Sequence, residues 1–376
     1  MENRGAHGKQ GAGPCTPPTA GRASVMARRN VPTAGAAAGT LHIIAGTGPP
    51  MIDTTEIHGR VGVVVIGRNE GDRLLACLAS VPDGVAQVVY VDSGSDDGSP
   101  AAAAAAGARV VFLDTAQPFT AARGRNAGFA ALDGPDRPEF VQFVDGDCTF
   151  APNWIAAAAA FLDRNPQAAI VCGRRRERCP EASVYNRLID REWNTAPGRT
   201  DSCGGDALMR SGAFADAGGF DHTLIAGEEP ELCARLRRQG WEIHRLDAEM
   251  TAHDAAITRF SQWWRRSRRG GFAAAQGAAM HASLGPRQQQ RRALIWGLGL
   301  PGGVLVGTAV SPWAPALLLA LPAQMLRLAL RQGPGRRDNW EWAFFATLGK
   351  FPEMLGVVEY HARRLTGRAA RLIEYK

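Results

Sequence analysis

Residues 139–147 read Glu139-Phe140-Val141-Gln142-Phe143-Val144-Asp145-Gly146-Asp147, an apolar run closed by two carboxylates one residue apart. The run has the length and the aromatic and β-branched content of a buried strand. Asp145 and Asp147 then fall on the loop outside the strand's carboxyl end, where open α/β sheets bind their ligands. Two hard oxygen donors there suit Mg²⁺ or Mn²⁺ with positions left open for substrate phosphates. The same three residues also satisfy the preferences of a plain turn. The rest of the chain decides between the two.

Upstream, Val61-Gly62-Val63-Val64-Val65-Ile66 is a nearly continuous β-branched run, as in a strand covered on both faces of a parallel sheet. The loop Gly67–Gly71 follows, then a short helix with Leu74, Leu75 and Leu78 on one face. Gln87–Val91 and Arg109–Leu113 are the next strands, separated by the polar loop Asp92–Ser99 and an alanine helix at 101–106. Strand and helix alternating at this spacing predict βαβ units. Three of the four strands then end in polar, acidic loops on one edge of the sheet: Asn69-Glu70, Asp92-Ser93 and Asp145-Gly146-Asp147. Neither a G-x-G-x-x-G turn nor a Walker A loop follows the first strand, which argues against a dinucleotide-binding dehydrogenase and a P-loop NTPase.

These motifs, in this order, resemble the inverting family 2 glycosyltransferases of the GT-A fold, from about Val61 to Gly271. Val63–Glu70 is similar to the family's opening strand and Asn-Glu loop, and Val89–Ser99 to its nucleotide loop. Ala122–Gly128 resembles its Arg-x-x-Asn-x-Gly segment, and Asp145-Gly146-Asp147 stands where its metal-binding DxD belongs. Gly204–Ala207 looks like the segment bordering the acceptor, and Gly227–Leu232 like the acidic pair that includes the base. The resemblance implies an α/β GT-A fold with a mostly parallel sheet and flanking helices. It implies Asn69, Glu70, Asp92, Ser93, Arg125, Asn126 and Asp145 at a UDP- or GDP-sugar donor. Asp145, Asp147 and His253 would hold a divalent ion, Mg²⁺ or Mn²⁺, and Gly205 and Asp206 would border the acceptor. Glu229 is expected as base, with Glu228 beside it. The family has Glu-Asp at this point and this chain has Glu-Glu, so the base is displaced by one methylene. Gln262-Trp263-Trp264-Arg265-Arg266 is similar to the Q-x-x-R-W element of processive relatives but in the wrong order. It reads either as a phosphate-facing arginine segment or as a membrane-surface helix with Trp anchors.

Length and composition set the frame. With 376 residues, 45% of them hydrophobic, the chain has room for a large core. The net charge of +7 is concentrated in arginine clusters at 174–178, 265–269, 287–292 and 331–337. No RNP motif, zinc-finger spacing or basic zipper accompanies them, so no nucleic-acid partner is expected. Seven scattered cysteines without a Cys-x-x-Cys pair predict neither a disulfide framework nor a zinc site. A reducing compartment follows for the main domain.

Four segments are expected. Residues 1–58, rich in Gly, Ala, Pro, Thr and Arg, have no secretory signal and read as disordered. Residues 59–285 form the glycosyltransferase-like domain. Residues 286–332 carry two apolar runs, Ala293–Val310 and Trp313–Leu326, read as a membrane hairpin close to the minimum spanning length. Basic clusters flank both outer ends, which places the catalytic domain on the cytoplasmic side of the cell membrane. Residues 333–376 follow as amphipathic helices. A lipid-linked or polysaccharide acceptor suits such an anchor. A nucleotidyltransferase and a catalytically idle nucleotide-sugar-binding scaffold are the rival readings.

Overall fold

The computed structural model describes residues 57–132, 137–281 and 286–367. The disorder expected for residues 1–58 concerns, apart from Ile57 and His58, positions outside the described residues.

The strands are β1 (Val61–Gly67), β2 (Gln87–Asp92), β3 (Arg109–Phe112), β4 (Phe140–Asp145), β5 (Cys148–Phe150), β6 (Ala168–Glu177), β7 (Gly198–Arg199), β8 (Ala207–Arg210) and β9 (Glu242–His253). They form one nine-stranded sheet in the order β3-β2-β1-β4-β8-β6-β9-β5, with β7 pairing β9. All seven residues of β1 are buried, as its β-branched composition requires of a central strand. Parallel pairs hold most of the paired residues, while β8 runs antiparallel between β4 and β6, and β5 and β7 run antiparallel to β9.

Register positions the site. Ile66 at the end of β1 lies beside Asp145, and Gly67 beside Asp92. The three acidic loops therefore leave the sheet side by side. Below them the core is closed by aromatic packing. Trp154, fully buried, donates its indole N–H to Gln142 Oε1 at 2.9 Å, which satisfies the one polar side chain in the middle of β4. The helix Ala121–Ala131 lies on β1 and β2 so closely that a Cβ at Gly128 would overlap the side chain of Val64.

The C-terminal helices do not stand apart from the sheet domain. Helix Lys350–Leu365 packs along helix Phe260–Met280. A Cβ at Gly271 would overlap the backbone of Glu353, and one at Gly356 the backbone of Arg268. The crossing depends on glycine from both sides. Gly271→Ala is expected to cost about 1–3 kcal/mol, the usual range for overpacking. Urea unfolding checks this, and an unchanged midpoint would mean that the helices part freely. Trp263 is buried with Ile189, Ala255 and Ile257 and lies 5.0 Å from the Phe345 ring. It is a core residue, so the reading of this segment as a surface helix with two Trp anchors fails at its first Trp.

The apolar segment folds as two limbs. Helix Pro286–Leu294 continues through a π-helical stretch, Ile295–Gly299, into Leu300–Gly307. After a turn, the 3₁₀ stretch Ala314–Leu319 leads into helix Ala320–Gln332. Leu305, Val310, Trp313 and Leu319 are exposed. Among the described residues one helix, Ala314–Gln332, is long and apolar enough to cross a membrane, and 11% of its apolar window is buried.

Candidate active site

Side chains lace the first two strand-end loops together, and the Gly146 N–H, donated to the Ile66 carbonyl at 2.8 Å, ties the third to β1. Asn69, at φ 57°, accepts the Asp96 N–H at 2.9 Å through Oδ1 and donates its own N–H to Ser95 Oγ at 2.9 Å. Asn is among the few residues that take this left-handed backbone readily. Asp92 is buried. Its Oδ2 accepts the N–H groups of Gly94 and Ser95 at 2.9 and 3.0 Å, and its Oδ1 accepts the Tyr90 hydroxyl at 3.1 Å. Both oxygens are thus used to shape the loop. Ser93 is buried beside it, with an Oγ that has no hydrogen-bond partner among the described residues.

Charge converges on Asp145. Its Oδ1 lies 2.8 Å from Arg125 Nη2 and its Oδ2 lies 3.1 Å from Arg175 Nη2. Arg125 reaches with Nη1 to Glu228 Oε1 at 2.6 Å, bridging the sheet edge to the start of helix Glu228–Arg238. Burial alone would lower the Arg125 pKa, but Asp145, Glu228 and Asp206 outweigh it and keep the guanidinium charged. Arg175 is held the same way: burial opposes its charge, and Asp206 and Asp145 restore it. It stacks 4.6 Å above the Trp193 ring, and Trp193 in turn meets His253 edge-on at 4.9 Å.

A second group lies one turn of loop further on. Antiparallel pairing of β5 with β9 sets Cys148 opposite His253. His253 Nε2 is 3.4 Å from Asp147 Oδ2, and Cys148 Sγ is 3.7 Å from Asp147 Oδ1. One ligand atom from each of the three lies within 4.8 Å of the other two. His253 Nδ1 faces the buried Glu177 carboxylate at 3.5 Å. A carboxylate behind an imidazole is a common way to orient a metal-binding histidine. Burial, reinforced by Arg175, lowers the His253 pKa, so the ring is held in the neutral form that binds metals.

The two glutamates of the acidic pair part company. They sit in the first turn of their helix, roughly 100° apart around its axis. Glu228 lines the cleft. Glu229 is buried behind it, where Oε1 accepts the Cys203 N–H at 2.6 Å and the thiols of Cys203 and Cys233 at 3.0 and 2.9 Å. Burial raises its pKa. The cleft, about 1140 Å³, runs from Asp145, Asp147 and His253 past Glu228 to Trp342, Phe345 and Lys350.

Residues 62–215 match the Glycosyl transferase family 2 model. This chain carries a family 2 glycosyltransferase domain. The match covers β1 to β8 with the Asp145-Gly146-Asp147 loop, and stops short of Glu228 and His253. A pre-mycofactocin glycosyltransferase of Mycobacterium tuberculosis is 29% identical over 224 residues, 56% of this chain and 45% of that protein. A TPR repeat-containing protein of Synechococcus elongatus is 39% identical over 88 residues, 23% of this chain and 20% of that one. The chain thus spans less than half the length of these relatives. A mannosyltransferase from Pyrobaculum calidifontis, solved with GDP-mannose and Mn²⁺, aligns at a TM-score of 0.55 and 18% identity, over 80% of this chain and 87% of its own. The α/β architecture is the GT-A fold.

Within the family 2 domain, the residues expected at the donor divide. Asn69, Glu70, Arg125 and Asp145 line the cleft, while Asp92 and Ser93 do not reach it. Asn126 also points elsewhere: its amide donates to the Phe220 carbonyl at 2.7 Å and accepts the Phe220 N–H at 3.0 Å, clamping the loop before the acidic helix. Of the expected metal set, Asp147 and His253 come together, and Asp145 is engaged by the two arginines instead. On the expected acceptor side Gly205 lines the cleft against Arg125, where a Cβ would overlap the guanidinium. Asp206 is buried beneath, accepting the Asp145 N–H at 3.3 Å and the Thr251 hydroxyl at 2.8 Å.

Sequence reasoning missed Arg175, Cys148 and Glu177. Arg175 lies in the cluster 174–178, one of the arginine blocks that the sequence offers to nucleic acid, phosphate substrates or an anionic membrane without singling out a residue. The signal was available, because alternate residues of a strand face opposite sides and one of three consecutive arginines had to point inward.

Proposed function

We propose that this chain moves one sugar from a nucleoside diphosphate sugar, UDP- or GDP-linked, to a hydroxyl of a lipid-linked or saccharide acceptor with inversion. The observation that carries the reading is Arg125 gripped between Asp145 and Glu228 in the same cleft as the Asp147–His253 pair. A charged, buried guanidinium beside a metal-type ligand pair is suited to a diphosphate, which arginine binds through paired N–H groups. The GDP-mannose and Mn²⁺ bound by the mannosyltransferase of similar fold support both the donor class and the ion.

Asp147 and His253 would hold the divalent ion. Carboxylate and neutral imidazole are apt donors, and the softer Cys148 thiol sits at the back of the group. When bound, such an ion neutralises the charge that develops on a departing diphosphate. Arg125 supplies fixed positive charge on the same side of the cleft. Glu228, facing the cleft at the helix start, takes the proton from the acceptor hydroxyl as that oxygen attacks the sugar. A single displacement with the base opposite the leaving group inverts the anomeric centre. The exposed apolar limb Ala314–Gln332, with Arg331, Arg336 and Arg337 at one end, supports membrane association with the domain on the cytoplasmic side.

Asp147→Asn tests the site as a whole. Lewis-acid stabilisation is worth several kcal/mol, and each 1.4 kcal/mol is about tenfold in rate, so Mn²⁺-dependent hydrolysis and transfer should fall by about 10²-fold or more. Screening UDP- and GDP-sugars with released nucleotide as the readout measures it. Full Mn²⁺-dependent activity in this variant would sink the metal assignment.

A further inference from the structure

A second set of ligand-type atoms lies outside the transfer chemistry. Cys203, in the loop before β8, meets Glu229 and Cys233, which are four residues apart and so share one face of helix Glu228–Arg238. The two sulfurs are 3.9 Å apart, and Glu229 Oε1 lies 3.0 Å from Cys203 Sγ and 2.9 Å from Cys233 Sγ. One ligand atom from each residue lies within 4.8 Å of the other two. Thirty residues separate the cysteines in the chain, so no spacing in the sequence announces the cluster.

We propose that Cys203, Glu229 and Cys233 form a zinc site that fastens the loop carrying Gly205 to the helix carrying Glu228. Zinc–sulfur bonds of about 2.3 Å in a tetrahedron place sulfurs about 3.8 Å apart, close to the observed separation. The carboxylate oxygen must withdraw by roughly half an ångström to take its own corner, given zinc–oxygen bonds of about 2.0–2.2 Å. Two sulfurs and one carboxylate select a borderline-soft ion over Mg²⁺ or Mn²⁺, which separates this site from the Asp147–His253 pair. Binding forms two Zn–S bonds and one Zn–O bond and releases the two thiol protons to solvent. Glu229 and Cys233 are buried and Cys203 is half-buried, so the ion would enter past Cys203 and take water as its fourth ligand. Both walls of the cleft meet here, and the ion would fix their spacing without touching substrate.

The test uses the full chain, stripped with chelator, kept reduced and titrated with Co²⁺. One equivalent should give the near-ultraviolet thiolate-to-cobalt charge-transfer band, and Zn²⁺ should displace it. Cys203→Ser and Cys233→Ser should each remove the band, as well as the rise in Tm that zinc produces in the parent chain. Asp147→Asn should leave both in place. No band in the parent chain, or a band that survives both serine variants, overturns the proposal. Should Cys233→Ser fail to fold, Cys203→Ser in the half-buried loop decides alone. None of these readouts depends on sugar transfer, so failure here and failure of the transfer reading are told apart.

Discussion

Glu228→Gln is expected to lower sugar transfer by about 10²–10⁴-fold, the usual worth of a positioned general base, with donor binding retained. The amide keeps an oxygen for Arg125 to donate to, so the grip at 2.6 Å survives while the proton acceptor is lost. Glu229→Gln makes the contrast. Its oxygen can still accept from Cys203 and Cys233, and it does not reach the cleft, so kcat should change by less than about tenfold. Stability is read separately: the change weakens charge-assisted hydrogen bonds to neutral ones, at about 1 kcal/mol. Calorimetry with the nucleoside diphosphate and a transfer assay on both variants check the pair. The opposite ranking, with Glu229→Gln inactive and Glu228→Gln active, would return the base to the second glutamate.

Arg125→Ala should have the larger effect on the protein itself. Arg125 is 2% exposed, and its guanidinium pairs with Asp145 on one side and Glu228 on the other. Without it Glu228 loses its ion pair while Asp145 falls back on Arg175, and breaking such a buried pair typically costs about 3–5 kcal/mol. Transfer should be lost along with stability. Arg125→Lys keeps one charge but has no planar fork to serve two acids at once, so it should recover part of the stability and little of the activity. Chemical denaturation of both variants, compared with transfer rates, checks this. Parent-like stability in Arg125→Ala would mean that the acids do not need the arginine.

Much of the sheet was legible because its central strands are unmixed. Val61–Ile66 and Phe140–Val144 are apolar enough to need cover on both faces, and the acids that end them must then share an edge. What each acid does there was not legible. Asp92 and Asp145 occupy matching strand ends, yet one curls back onto the N–H groups of its own loop and the other meets two arginines from distant helices and strands. Composition cannot separate these, because the partners come from elsewhere in the chain. Glu228 and Glu229 were legible as a helix start, but which one faces the cleft depends on how the helix docks. Trp263 was misread for a related reason: an aromatic beside arginines looks like an interfacial anchor until the C-terminal helices, packed through Gly271 and Gly356, are seen to cover it.

The pairing of β6 with β9 shifts register between Cys172 and Arg174 and again between Arg174 and Arg175. Irregularities of this kind bend a strand and re-aim the side chains beside them. The first half of β6 is buried and paired on both sides, so its register is fixed and the change of aim falls on the arginines. Here Arg174, Arg175 and Arg176 are alike, and each already has an acidic partner: Asp190, Asp145 with Asp206, and Glu249. The bends therefore send three identical side chains to three different acids, and Arg175 alone is turned to the sheet edge at Asp145. Three consecutive like charges are each neutralised separately, so one of them can be buried beside the cleft without repelling its neighbours.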